Sequence, residues 1–204
     1  MQDFYQIDLP RLPYSLASEL KDLAKSITVS NEKREWLQNF HNCSETIAYQ
    51  EYGTDITQIS LEVQNSLKNI LCKYFPNEKI HYTLGKIEAV ANTISITPPH
   101  CDRGRFLACN FILQTGGDDV KTVFYNYERN EDNLQTAINL KENDLEPRSS
   151  AVFEPNCWYV FNAQQAHGVK NITGSRYLLS ILFESNIKYK EFVTKYKHLL
   201  RGCG

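Results

Sequence analysis

No two cysteines in this chain stand in a CxxC pair, and no apolar stretch approaches the roughly 18 residues needed to span a bilayer. The six cysteines, at positions 43, 72, 101, 109, 157 and 203, are scattered through 204 residues. That spacing excludes a dense disulfide framework and points to reduced thiols. A strong charge of either sign is missing too: 22 Lys and Arg stand against 24 Asp and Glu, for a formal net charge of −2. Such a balance gives no field able to hold a polyanion or a membrane surface by charge alone, so neither nucleic acid nor a membrane is an expected partner. Met1 to Leu12 has no basic segment followed by an apolar run. Internal repeats and low-complexity segments are absent as well. The expectation is a soluble, cytoplasmic protein acting on a small-molecule or peptide substrate.

What is present is enough apolar material, 42% of residues, for one core and too little chain for two full domains. One domain over 1–204 is expected, with a mainly helical support over 1–78, a β core over 79–186 and a C-terminal helix over 187–204. Leu16, Leu20, Leu23 and Ile27 recur at helical spacing after Pro13 and Ser15. Ile56, Ile59, Val63, Leu67, Leu71 and Tyr74 do the same, with Thr54 or Asp55 as opening residue and a stop near Pro76. Trp36 to Glu51 is mixed and carries no assignment. Ile187, Phe192, Val193, Tyr196, Leu199 and Leu200 suggest a closing helix ended by Gly202.

From Lys79 the texture changes to short runs of Ile, Val, Phe, Tyr and Thr between polar, Gly or Pro punctuation. Eight strands are predicted: 80–90, 93–96, 105–114, 122–127, 151–154, 158–162, 167–172 and 176–184. Eight short strands suggest a sandwich or jelly roll. Gly116, Gly117, Asp118 and Asp119 suit a turn between two of them. The polar stretch from Glu128 to Arg148 interrupts the series, either as a solvated insertion or as a lid.

The informative segment is Pro98-Pro99-His100-Cys101-Asp102-Arg103-Gly104-Arg105. In extended chain His100 and Asp102 face the same way, and Cys101 faces the other. An imidazole and a carboxylate on one side of a strand end can share one divalent cation. Ferrous iron in oxygenases takes two histidines and one carboxylate on a single face, so a third ligand is required. His167, which starts a strand-like segment 65 residues beyond Asp102, is the natural candidate; His41, His81 and His198 are less well placed. Nine residues further on, Arg176 lies in the apolar run Arg176-Tyr177-Leu178-Leu179-Ser180-Ile181-Leu182-Phe183. A guanidinium there needs an anion, since removing a partner from a buried ion pair costs about 3–5 kcal/mol. A dicarboxylate would suit its planar fork, and an internal salt bridge to Glu88 or Glu184 is the plainer alternative. Arg103 and Arg105 can steer an anion or stand solvated near a loop.

His100-x-Asp102, a distant His167 and Arg176 downstream together resemble the double-stranded β-helix 2-oxoglutarate oxygenases, over about Lys86 to Glu184. Members similar to prolyl and aspartyl or asparaginyl hydroxylases stand nearest. The resemblance implies a mainly β fold with flanking helices around a cupin-like jelly roll of eight core strands. It implies Fe(II) held by His100, Asp102 and His167, with 2-oxoglutarate and O2 as co-substrates. It also implies hydroxylation of an unactivated C–H bond, with release of succinate and CO2. Arg176 would pair with the distal carboxylate of 2-oxoglutarate, and Asn110 sits where a polar residue of the second strand often meets the co-substrate. The chain departs from the usual Arg-x-Ser pattern, since Leu178 follows two residues after Arg176; Ser180, on the same strand face, is the expected substitute. Halogenases similar to this family lack the carboxylate, so Asp102 favours hydroxylation. A non-redox metal-binding or sensor protein on the same jelly roll is the competing reading, and a nucleic-acid demethylase is disfavoured by the lack of a basic surface.

Overall fold

The computed structural model describes residues 2–28, 31–41, 45–55, 60–129 and 138–202. The chain begins with strand β1 (Phe4–Ile7), helices α1 (Tyr14–Ser26) and α2 (Asn31–His41), strands β2 (Thr46–Ile47) and β3 (Tyr49–Asp55) and helix α3 (Leu61–Leu71). There follow β4 (Ile80–Glu88), β5 (Ser95–Cys101), β6 (Leu107–Thr115), β7 (Lys121–Glu128), β8 (Ile138–Asn139), β9 (Pro147–Val152), β10 (Trp158–Asn162), β11 (Gln165–Ile172) and β12 (Ser175–Phe183). The chain closes with α4 (Tyr189–Lys195) and β13 (Leu200–Arg201). The strands form two facing sheets, ordered β13-β1-β10-β6-β12-β4-β3 and β2-β5-β11-β7-β9, with β8 paired to β5. This is the jelly roll that the strand count leads one to expect.

β12 shows why a strand with so few polar residues belongs at the centre. It pairs with β4 on one side and β6 on the other. Tyr177, Leu179, Ile181 and Phe183 point into a core shared with the helices, while Arg176, Leu178, Ser180 and Leu182 point into a cavity between the sheets. The two-residue period of a strand sorts these sets, and burial on both faces makes the run read as continuously apolar. On the helical side Leu16, Leu20 and Ala24 of α1 and Val63, Leu67 and Leu71 of α3 are buried. Ser60 caps α3 by accepting from the Val63 amide at 3.3 Å.

Several elements differ from their sequence-based expectation. Thr54 and Asp55 lie in β3 and do not open a helix; Ile56 and Ile59 fall outside the described residues. Three pieces of the helical first third are strands, because the sheet edges offer unpaired backbone groups that β1, β2 and β3 satisfy. α2 spans part of the unassigned stretch. Its hydrophobic pattern is weak because Leu37 is buried whereas Trp36 and Phe40 are exposed. The closing helix stops at Lys195, passes through a 3-10 turn at Lys197–Leu199 and ends as β13 on β1. Within the interrupting stretch, whose residues 130–137 are not described, Ile138 and Asn139 pair with Cys101 and His100.

Strand β5 runs from Ser95 through Pro98 and Pro99 to Cys101, past the predicted end at residue 96. Prolines in a strand normally mark its edge or a bulge. Here the register against β11 shifts between His167 and Val169, so the prolines sit at an irregularity in the ladder.

Glu78 fastens the C-terminal helix to the start of β4. Its carboxylate, 4% exposed, accepts from Lys195 at 2.7 Å, Ser185 at 2.7 Å and Tyr196 at 3.2 Å. Burial alone would raise its pKa, but these donors and the Lys195 charge leave it lowered. A lowered folded-state pKa contributes stability that is present above the unfolded value and lost as pH falls through the folded one. Replacing Glu78 by Gln is expected to cost about 1–2 kcal/mol at pH 7 and to shrink the loss of stability between pH 6 and pH 3, both read by urea unfolding at the two pH values.

Candidate metal and anion site

His100 lies on β5, one residue before its end, and His167 on β11, directly opposite each other in the ladder. Their ring centroids are 4.6 Å apart. In each case Nδ1 bonds to a carbonyl two residues earlier: His100 to Pro98 O at 2.8 Å and His167 to Gln165 O at 2.8 Å. A carbonyl can only accept, so both rings carry the proton on Nδ1 and present the Nε2 lone pair. Both Nε2 atoms approach Asp102 Oδ1, at 3.6 Å from His100 and 3.8 Å from His167. One ligand atom from each of the three residues lies within 4.8 Å of the others. Two imidazole nitrogens and a carboxylate oxygen, partly or fully buried, make a donor set suited to a divalent transition metal.

The electrostatics fit the same chemistry. Burial works to raise the Asp102 pKa, but the Arg105 guanidinium and the two imidazoles outweigh it and hold the carboxyl at about 2. Burial and the neighbouring His100 lower His167 to about 4, against the pull of Asp102. At neutral pH the pair is therefore a carboxylate beside a neutral imidazole, the forms that bind metal.

Arg105 and Gln164 support this arrangement, and neither role was legible in the sequence. Arg105 takes Asp102 Oδ2 through Nε at 2.8 Å and Nη2 at 2.7 Å, leaving Oδ1 for the imidazole side. Gln164, buried between β10 and β11, donates from Nε2 to Asp102 O at 3.1 Å and Arg105 O at 2.5 Å. The Asp102 amide bonds to Ala163 O at 2.9 Å, and the Ala163 amide to Phe106 O at 3.1 Å. Two tight connections thus lock together and fix the Asp102 carboxylate. The available signal was a pair of glutamines in the small, apolar context Ala163-Gln164-Gln165-Ala166.

The triad opens onto a cavity of about 390 Å³ between the sheets. Across it, on the other sheet, lie Arg176, Asn110 and Ser180. Arg176 is 3% exposed and donates from Nη1 to Thr115 O at 3.4 Å. Of the two glutamates that could pair with it, Glu88 meets Lys86 at 3.3 Å and Ser175 at 3.4 Å, and Glu184 meets Lys79 at 3.0 Å. Ser180 and Asn110 are register partners, and the serine hydroxyl donates to Asn110 Oδ1 at 2.6 Å. That bond commits the Asn110 carbonyl and leaves its amide as the group to meet a ligand. Cys101 points away from the triad, buried with Val123, Tyr125 and Ala166. Burial, with the nearby Asp102 charge, pushes its thiol up to about 12, so it stays protonated. His41 lies on α2 and is buried, and His81 lies on β4; neither lines the cavity.

Gly168 makes the close approach of β5 and β11 feasible. A Cβ there would meet Thr97 O at 2.7 Å, with Pro98 C and Pro99 N each at 3.4 Å. All three are backbone atoms and cannot swing aside. Gly168→Ala is therefore expected to cost about 1–3 kcal/mol through overpacking, a fall of roughly 3–10 °C in the unfolding midpoint, readable by calorimetry.

No protein-family model and no curated protein matches this chain. Solved structures do match in fold. The non-haem α-ketoglutarate-dependent epimerase SnoN from nogalamycin biosynthesis aligns with a TM-score of 0.51 at 10% identity, over 89% of this chain and 78% of its own. The carbocyclase SnoK from the same biosynthesis aligns at 0.49 and 10% identity, over 89% and 79%. A prolyl-4-hydroxylase from Pseudomonas putida aligns at 0.45 and 14% identity, over 90% and 93%. At these identities the likeness to SnoN is one of fold: the double-stranded β-helix with its flanking helices. Among the described residues no helix is long and apolar enough to cross a membrane.

Proposed function

We propose that this chain is an Fe(II)- and 2-oxoglutarate-dependent oxygenase that hydroxylates a C–H bond of an amino acid, a peptide side chain or a small metabolite. The observation that carries the reading is the convergence of His100 Nε2, His167 Nε2 and Asp102 Oδ1 on one wall of a cavity whose opposite wall holds a buried arginine. On this reading the three residues hold the metal on one face and leave the cavity side for the co-substrates. When bound, iron with 2-oxoglutarate and dioxygen supplies the oxidation, in which decarboxylation to succinate and CO2 is coupled to insertion of one oxygen atom into a C–H bond.

The protein's own residues position and exclude. Arg176 pairs with the distal carboxylate of 2-oxoglutarate, with the Asn110 amide, itself oriented by Ser180, as a further donor. Arg105 and Gln164 keep Asp102 in place by holding its second oxygen and its backbone. Phe161, its ring 4.8 Å from that of His167, and Phe153 line the cavity, where they keep water from the reacting centre. On this reading the chain works as one unit, which is supported by the packing of α1 on β4 and on β6 and β12, the two strands that carry Asn110, Arg176 and Ser180.

The test is succinate formation by anaerobically purified protein supplied with Fe(II), 2-oxoglutarate, candidate substrates and air. Succinate above the protein-free blank is expected; none with any substrate would favour a metal-binding protein without oxygen chemistry. His167→Ala is expected to abolish turnover while the unfolding midpoint holds, and unchanged turnover would remove His167 from the site. For Arg176→Gln the expected effect is a rise of about 10–100-fold in the KM for 2-oxoglutarate, the worth of a charge-assisted hydrogen bond, with a smaller change in kcat.

A further inference from the structure

The cavity beside the triad carries more positive charge than the proposed co-substrate uses. Among the described residues that line it, Asp102 is the sole acid, against Arg103, Arg105 and Arg176. This stands out in a chain whose formal net charge is −2. Arg105 is committed to Asp102, and Arg176, on the reading above, to 2-oxoglutarate. A bound divalent cation would add to the surplus. Arg103 is left at the rim, exposed, on the short turn that follows Asp102. The next residue, Gly104, holds the turn in the left-handed region at φ 72°, with nothing within 4 Å of where its Cβ would stand, so open space surrounds this part of the rim.

A second feature of the same rim is aromatic. Trp36 of α2 lines the cavity and yet is 54% exposed. It stacks on Phe40, with ring centroids 5.3 Å apart and planes at 19°, and Phe40 is exposed as well. Neither ring anchors α2, since Leu37 does that, buried against Ile47 and Ile96. An indole face held at the edge of a concave site, away from any core, is a surface on which a flat apolar group can stack. Size narrows the class further. About 390 Å³ lies near the small end of the roughly 300–1,000 Å³ usual for ligand sites, and the co-substrate must share it.

We infer that the substrate is a small anionic molecule with a flat apolar part, its carboxylate or phosphate paired with Arg103 and its apolar part stacked on Trp36. The inference rests on the oxygenase reading for the chemistry done there, and it makes Arg103 and Trp36 the residues that set specificity. Pairing with Arg103 lowers the charge surplus at the rim. Stacking on Trp36 fixes the ligand's plane relative to the metal residues.

Trp36 reports its own occupancy, because the other tryptophan, Trp158, is buried with its ring 4.9 Å from that of Phe111. The full chain is loaded without oxygen with Mn(II) and saturating 2-oxoglutarate, which occupies Arg176 and prevents turnover. Emission is then titrated with (4-nitrophenyl)acetic acid, 4-nitrophenyl phosphate and the neutral (4-nitrophenyl)acetamide. At least one anion is expected to quench saturably with an affinity fivefold or more above that of the amide, and the tighter of the two identifies the anion as carboxylate or phosphate. Arg103→Gln should bring the anions to the level of the amide, and Arg103→Lys should restore most of the difference. Trp36→Leu should weaken all three probes severalfold by calorimetry. Equal binding of acid, phosphate and amide, or an anion preference that survives Arg103→Gln, overturns the inference. Calorimetric binding of 2-oxoglutarate to the same samples separates the two claims. Its absence sinks the oxygenase reading, whereas intact binding without an anion preference sinks only the substrate class.

Discussion

Both imidazoles of the site are aimed by the strands that carry them. Each Nδ1 bonds to the carbonyl two residues back on its own strand, so the ring is oriented by local backbone, with no distant side chain needed to hold it. Once β5 and β11 pair with His100 opposite His167, the two Nε2 lone pairs meet as a consequence of sheet register. What register alone cannot supply is the third donor, which lies just past the strand end. Arg105 and the Gln164 brace take over there, replacing ladder hydrogen bonds with a guanidinium clamp and two backbone contacts. The close strand approach has its own requirement, a residue without a side chain at position 168.

The opposite wall is built by a strand with two faces in use. β12 turns four large side chains toward the helices and four toward the cavity, so the core that stabilises the domain and the wall that carries Arg176 are one element. Stability and site geometry are coupled at that strand in a way they are not at the rim. Arg103, in a loop, and Trp36, exposed on α2, can vary without disturbing the sheets. A rigid interior with a variable margin is how one fold serves many substrates.

Much of this is legible in the sequence. The eight core strands were readable because β-branched and aromatic runs alternate with turn residues, and their observed bounds mostly fall within a few residues of the expected ones. The pairing of His100 with Asp102 is readable because two-residue spacing puts both on one strand face, and His167 because a third donor is needed and it opens a strand-like segment. The rest was hidden for physical reasons. β1 and β13 are short pieces at one end of the larger sheet, β1 pairing with β10 and β13 with β1, and that pairing with distant partners carries no local signal. β5 ran on through Pro98 and Pro99 because a bulge excuses two prolines that local rules read as a stop. α2 was missed because its most visible aromatics face away from the core. Gln164 and Arg105 were missed because a brace made through backbone carbonyls leaves almost no trace in residue spacing.

The chain needs only the short connection after Ile172 to pass from β11 of one sheet to β12 of the other, and Gly116 O accepts from the amides of Thr173 and Gly174 in that connection, at 2.9 and 2.8 Å. His167 and Arg176 are therefore held on facing walls whose separation is set by packed side chains, at about the 10 Å typical of stacked sheets. Such a gap behaves as a ruler. On the proposed reading it gauges the diacid laid across it, so that a keto acid one methylene shorter or longer would reach one wall at the expense of the other.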